Sequence, residues 1–202
     1  LLQTDYIHPL KNKSNIFFAF QLTKQYAMNN GGNADAAKTY ISRHSTSTSF
    51  GAKLGWENNR WQTSINYNRI TAAGRYLMPR EWGREPFFTY LPRERNEGFG
   101  NVNAYLFKAA WSIIKQQLKI QTGLGYYDMP DVNNYALNKY GLPSYTQLNA
   151  AMEYTAGGLM RGLEAQLLFV YKGKEGKDYG NEKYVINKVD MNSWNLILNY
   201  NF

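Results

Sequence analysis

The chain has 202 residues, 44% hydrophobic and 16% aromatic, with 17 Tyr, 17 Gly, no Cys, a formal charge of +8 and a mean hydropathy of −0.56. No stretch approaches the ~20 continuous apolar residues of a membrane helix, and the lack of cysteine excludes disulfides, thiolate metal sites and a thiol nucleophile. The basic balance fits nucleic acid, an anionic membrane surface or anionic solutes, but Lys and Arg are dispersed without a basic helix or binding motif, which disfavours nucleic acid.

Nine segments alternate like strands, each near the ~9–11 residues of a tilted membrane strand. They fall at residues 2–10, 15–24, 46–56, 60–70, 101–111, 117–127, 145–155, 161–172 and 189–202. Short turns are expected at 11–14, 57–59, 112–116 and 156–160, and long loops at 25–45, 71–100, 128–144 and 173–188. Every long connection thus falls at one end, as in outer-membrane barrels and unlike soluble sandwiches. Low mean hydropathy is compatible with such a barrel, because its strands alternate apolar and polar residues.

The faces are two-sided. Phe50, Ala52, Leu54 and Trp56 alternate with Ser49, Gly51, Lys53 and Gly55, and Trp61, Thr63, Ile65 and Tyr67 alternate with Arg60, Gln62, Ser64 and Asn66. Leu163, Ala165, Leu167, Phe169 and Tyr171 oppose Glu164 and Gln166, although Leu168 and Val170 break that pattern. Lys or Arg on a lipid face at mid-bilayer costs roughly 2–4 kcal/mol. Lys53, Arg60, Lys119, Glu153 and Glu164 all have lumen parity, as does Lys108, whereas Arg69 has lipid-face parity near the rim. Trp56, Trp61, Trp111, Tyr154 and Phe202 cluster at the short-turn end and Tyr67, Tyr126, Tyr171 and Trp194 at the other, which matches two aromatic girdles.

In the final segment Trp194, Leu196, Leu198, Tyr200 and Phe202 share one face, opposed by Ser193, Asn195, Asn199 and Asn201. That ending resembles the closing strand of bacterial outer-membrane β-barrels. The resemblance implies that its aromatic terminus serves as a signal to the barrel-assembly machinery. With that end in the periplasm, nine alternating strands place the start of the first strand outside. The expectation is therefore a single transmembrane β-barrel domain over 1–202, incomplete at its N-terminus, with an odd number of strands missing before Leu1.

The 71–100 loop interleaves Arg80-Glu81, Arg84-Glu85 and Arg93-Glu94-Arg95 with aromatic residues and three prolines. Such a segment is expected to pack rather than stay solvated. Its guanidinium groups can line a pore constriction and meet anions, or its charges can form ion pairs that rigidify the rim. The run Pro79-Arg80-Glu81-Trp82-Gly83-Arg84-Glu85-Pro86-Phe87-Phe88-Thr89, with Leu91-Pro92-Arg93-Glu94-Arg95, resembles the OprD-type outer-membrane porins, in particular their Bacteroidetes-like branch. Asn138 to Tyr145 and Asn187 to Met191 are similar to loop-to-strand junctions of the same group. The resemblance implies an eighteen-stranded barrel, of which nine strands would be this carboxy-terminal half. It also implies a narrow channel with a ladder of basic wall residues for carboxylate-bearing solutes.

The fold class expected is all-β, an antiparallel transmembrane barrel, and the function that of a passive porin in the bacterial outer membrane. Its partners would be lipid and small polar, anionic or zwitterionic solutes. Arg80, Glu81, Arg84, Glu85, Arg93 and Arg95 form the candidate constriction; Lys53, Arg60, Lys108, Lys119, Glu153 and Glu164 form the candidate lumen wall. An alternative is a plugged barrel whose loops bind a partner or surface ligand. A barrel hydrolase would rest on His44, yet nothing selects its catalytic partners. Asp128, Asp131 and Asp190 lack calcium-loop spacing, and Asp128-Met129-Pro130-Asp131 reads as turn chemistry. No cofactor, metal or enzyme activity is expected.

Overall fold

The computed structural model describes residues 1–28, 41–78, 85–114 and 117–201. Nine strands, β1 (Leu2–Leu10), β2 (Ser14–Tyr26), β3 (Thr46–Glu57), β4 (Trp61–Ile70), β5 (Val102–Ile114), β6 (Leu118–Asp128), β7 (Tyr145–Thr155), β8 (Leu163–Lys174) and β9 (Met191–Tyr200), form one sheet in chain order. All eight pairings are antiparallel. β1 and β7 coincide with their predicted segments, and the other boundaries move by three residues or fewer. Among the described residues, two of the connections carry short 3-10 turns, Gly158–Met160 and Glu182–Tyr184.

Register turns the alternation into two surfaces, because directly paired residues of an antiparallel sheet share a face. One row runs Phe18, Leu54, Ile65, Phe107, Leu124, Leu148, Tyr171. The next runs Ala19, Lys53, Asn66, Leu106, Gly125, Gln147, Lys172. The apolar row is the exposed one: Leu54, Ile65 and Leu124 are all half or more accessible, while Asn66 and Gln147 are buried. A water-soluble sheet buries its apolar face, so this one is inside out. An apolar surface continuous over this many strands far exceeds the few hundred Å² that soluble monomers expose.

The rings are arranged as the two-belt reading expects. Trp61 and Trp111 stack at 5.1 Å at the short-turn end, and Tyr67 lies 5.2 Å from Tyr105 toward the long-loop end. The sheet is open among the described residues, with β1 and β9 as its edges. Both edge strands run from the long-loop end toward the short-turn end.

The main apolar core lies between the polar face and the loops folded over it. Ile70, Tyr76, Phe87, Phe99, Val102, Tyr127, Leu142, Tyr145 and Val189 belong to it. Val170, which interrupts the alternation of β8, is fully buried on this same face, and Leu168 is nearly so. Their apolar character is explained by cover from the inner side.

Candidate functional site

The connection from β4 to β5 turns inward and lies across the polar face. Its ends are tied together: the Tyr76 N–H donates to the Phe99 carbonyl at 2.7 Å and the Gly98 N–H to the Tyr76 carbonyl at 2.8 Å. Tyr76 packs on Phe87 with ring centres 4.7 Å apart, and Phe99 meets the edge of Tyr140 at 5.8 Å. These aromatic contacts join the loop to the core and exclude water from its stem.

Beyond the stem the wall grips the loop's main chain. Gln25 of β2 donates Nε2 to the Leu77 carbonyl at 2.6 Å and accepts the Leu77 N–H at 3.0 Å. Gln21, four residues earlier, donates to the Pro86 carbonyl at 3.0 Å. Tyr127 of β6 donates its hydroxyl to the Thr89 carbonyl at 2.8 Å, and Lys108 of β5 donates Nζ to the Tyr90 carbonyl at 2.9 Å. From β7, Gln147 and Asn149 both donate to the Pro92 carbonyl, at 2.8 and 3.1 Å. Arg93 then reaches Asn195 Oδ1 on β9 at 3.2 Å. The described part of the loop thus crosses the inner face from β2 to β9. A backbone laid on a wall leaves carbonyls to be satisfied, and amide, hydroxyl and ammonium donors at inward positions do this.

Two carboxyl groups sit inside the loop. Glu85 Oε1 accepts the N–H groups of Asn96 and Glu97 at 2.5 and 2.7 Å, and its Oε2 accepts Asn96 Nδ2 at 2.8 Å. Asn96 Nδ2 also donates to Glu94, which is only 7% exposed. Burial raises the pKa of Glu85, opposed by the three hydrogen bonds from Asn96 and Glu97. Burial raises that of Glu94 strongly, the charge of Glu85 adds to it, and Lys172 and Lys108 pull it down. Lys172 is itself buried, with Nζ 4.6 Å from the centre of the Tyr145 ring.

The outer part of the loop carries a different arrangement. Arg95 is paired with Glu97 at 2.6 Å and lies 4.4 Å over the Tyr140 ring. The Tyr140 hydroxyl donates to Glu97 at 2.9 Å. Burial, then that bond to the carboxylate, pushes its pKa up to about 12. Arg93 and Arg95 are both exposed. In the described loop, therefore, Glu85 and Glu94 are met first by amides, Arg95 is ion-paired to Glu97 with its side chain 57% accessible, and Arg93 extends along the wall. Arg80, Glu81 and Arg84 lie outside the described residues.

Lys53 is inward and half-buried, its Nζ 4.8 Å from the Phe17 ring centre and 5.9 Å from that of Phe88. Lys108 is inward but lies under the loop. Lys119 stands opposite Glu153, which accepts Gln166 Nε2 at 2.9 Å, and Glu164 stands opposite Asn199. Arg60 is exposed just before β4, its N–H held by Asn58 at the short-turn end. Trp194, Leu196, Leu198 and Tyr200 are exposed on the apolar face, and Trp194 packs 4.6 Å from Phe169. Phe202 lies outside the described residues. His44 has a left-handed φ of 64° in the β2–β3 connection, and among the described residues neither histidine hydrogen-bonds a serine or a carboxylate.

Gln21, Gln25, Tyr127, Gln147, Asn149 and Lys172 are not among the functional candidates that the sequence offers. Their inward parity was legible; that they grip a loop was not, because a water-facing wall uses the same residue types.

No family model matches the chain, and no curated protein matches it. Three solved structures are similar to the chain. The outer membrane protein OprD from Pseudomonas aeruginosa is 13% identical, with a TM-score of 0.69 over 98% of this chain and 50% of its own. A double variant of OccD1 (OprD) is 12% identical with a TM-score of 0.73 over the same shares. Pseudomonas aeruginosa OccK5 (OpdH) is 9% identical with a TM-score of 0.64, over 86% of this chain and 45% of its own. The chain thus spans about half the length of the solved structures it matches. The likeness establishes the fold, all-β and of the OprD barrel type.

Proposed function

We propose that the chain supplies nine strands of a larger outer-membrane porin, eighteen-stranded by the likeness to OprD, which passes small polar solutes. The carrying observation is the inside-out sheet with a loop strapped across its polar face from β2 to β9. Hydrocarbon around the apolar face accounts for its exposure. It also demands that the edges of β1 and β9 be closed by further strands, since unpaired backbone groups are not tolerated in lipid. The strapped loop narrows the passage, leaving Arg93, Arg95 and the inward Lys53 to bias it toward anionic or zwitterionic solutes.

In this reading Arg80, Glu81, Arg84 and Glu85 complete the constriction, Arg60, Lys119, Glu153 and Glu164 line the lumen, and the Trp194 to Phe202 face is presented to the assembly machinery. The protein is a channel and not an enzyme, and binds no nucleic acid. The test is planar-bilayer conductance of the full-length protein. Arg93→Glu with Arg95→Glu should move the reversal potential toward cation preference; an unchanged potential makes both residues scaffolding. A lumen closed at every voltage leaves the plugged, partner-binding barrel.

A further inference from the structure

Five of the seven Lys and Arg residues within the strands, Lys53, Lys108, Lys119, Lys172 and Lys174, point to the polar face by register. The other two, Lys24 and Arg69, point outward. Both stand at the long-loop end. Lys24 is paired with Thr48, and Arg69 with Phe50 and Asn103, so the two backbones are roughly 12 Å apart across two strand spacings and one pleat. Side chains of this length can meet over such a gap.

Directly below Arg69 on the apolar face lies a groove of about 840 Å³. Phe20, Ala52, Leu54, Tyr67, Tyr105 and Phe107 line it. Its origin is local: Ala52 is the one small side chain in the paired row Phe20, Ala52, Tyr67, Tyr105, Tyr126, so the sheet dips there between aromatic walls. The Tyr67 hydroxyl donates to Asn103 at 3.0 Å and Arg69 donates one Nη2 proton to Asn101 at 2.7 Å, which ties the groove's upper rim to the β4–β5 junction. A guanidinium has five N–H donors in a fork suited to phosphate, so this bond leaves donors to spare. Asp128, two strands along the same row, is engaged by Asn103 Nδ2 at 3.3 Å.

We propose that this place binds one acylated anionic lipid, its phosphate between Arg69 and Lys24 and an acyl chain in the groove floored by Ala52. The occupant follows from the pairing of features. An apolar groove of this volume, in the ~300–1,000 Å³ range of small-molecule sites, needs a hydrocarbon occupant. The two outward cations stand beyond its long-loop end, Arg69 next to the lining Tyr67 and Lys24 one pair further out with its Nζ 5.6 Å from the centre of the Tyr26 ring, and together they suit an anion. A phospholipid or acylated phosphoglycan supplies both in one molecule. The inference rests on the reading that the apolar face is in the membrane.

The test is native mass spectrometry of the full-length protein in mild detergent, offered dioleoyl phosphatidylglycerol or dioleoyl phosphatidylcholine. Wild type should retain one phosphatidylglycerol, in preference to phosphatidylcholine by about tenfold, in line with two juxtaposed basic residues. Arg69→Gln with Lys24→Gln, a change confined to the surface, should abolish the preference. Ala52→Phe should lower retention of both lipids by filling the groove. Equal retention of the two lipids by wild type, or an undiminished preference in the double variant, overturns the site. Displacement of the lipid by inorganic phosphate overturns the acyl groove. Flotation of wild type with pure phosphatidylcholine vesicles is scored separately: a protein that floats yet shows no preference loses only the lipid site, and one that does not float loses the membrane reading as well.

Discussion

Glu85 holds Asn96 with both of its carboxylate oxygens, accepting the backbone N–H at 2.5 Å on one and the side-chain amide at 2.8 Å on the other. Two points of the inward loop eleven residues apart are thereby fixed in one orientation. Glu85→Ala leaves the Asn96 and Glu97 N–H groups buried without an acceptor. An unsatisfied buried group costs about 1–3 kcal/mol, so the loop should lose about 2–3 kcal/mol of local stability, with exchange of the Tyr76 and Gly98 amides about a hundredfold faster. Hydrogen exchange checks this, and unchanged protection of those two amides would refute the cage as the loop's fastening.

The loop should have an unusual pH response. The folded-state pKa values of Glu85 and Glu94 lie above the ordinary 4.5, burial being the main cause in each. Closed loop therefore binds protons more tightly than open loop. Closure is least penalised below 4.5 and loses stability as pH rises through the raised values. Exchange protection, corrected for intrinsic rates, should accordingly increase as pH falls from above the raised values toward about 4.5. Glu94→Gln keeps an acceptor for Asn96 Nδ2 without the charge. It should flatten that response and leave the loop at least as stable at neutral pH; a response identical to wild type would assign the effect elsewhere.

Gln147 and Asn149 share the Pro92 carbonyl, so either alone should keep that point of the loop in place. The single Ala variants are expected to cost about 0.5–1 kcal/mol each, and the pair more than their sum, because only then is the carbonyl abandoned. Protease cutting of the loop in the folded protein, measured as a double-mutant cycle, provides the readout. Strict additivity would show that the two donors act independently.

The membrane reading predicts an asymmetry between neighbours on one strand. Ile65 and Asn66 are adjacent on β4 but face opposite sides, Ile65 60% and Asn66 5% exposed. Ile65→Lys places a cation at mid-sheet on the apolar face and should destabilise the reconstituted protein by roughly 2–4 kcal/mol. In water the same exposed substitution would be nearly neutral. Denaturant unfolding in lipid vesicles measures the difference, and a cost near zero would remove hydrocarbon from that face.

Much of the fold was legible because a barrel strand repeats a single rule. Two-residue alternation placed β1 and β7 to the residue and put Lys53, Lys119, Glu153 and Glu164 on the inner face. The rule failed informatively at Leu168 and Val170. In a water-filled lumen these would be errors; under cover they are core, and nothing local to β8 announces the cover. The wiring of the inward loop was not legible. Arg93-Glu94-Arg95 reads as three equivalent charges, yet Glu94 is buried beside Asn96 while its two neighbours in sequence point out toward Asn195 and Glu97. That division depends on a left-handed φ of 71° at Arg93, a conformation that no residue type there advertises.

The grip of the wall on the inward loop falls on the carbonyls of Leu77, Pro86, Thr89, Tyr90 and Pro92. Each of these belongs to the backbone and is present whatever side chain the residue carries. Socket and insert are therefore separable: the wall's amides set where the segment runs, while the side chains it exposes can be exchanged without refitting the mount. The exposed surface of the insert can therefore vary on its own, and an engineer could graft a new sequence between the anchor points with the scaffold left as it stands.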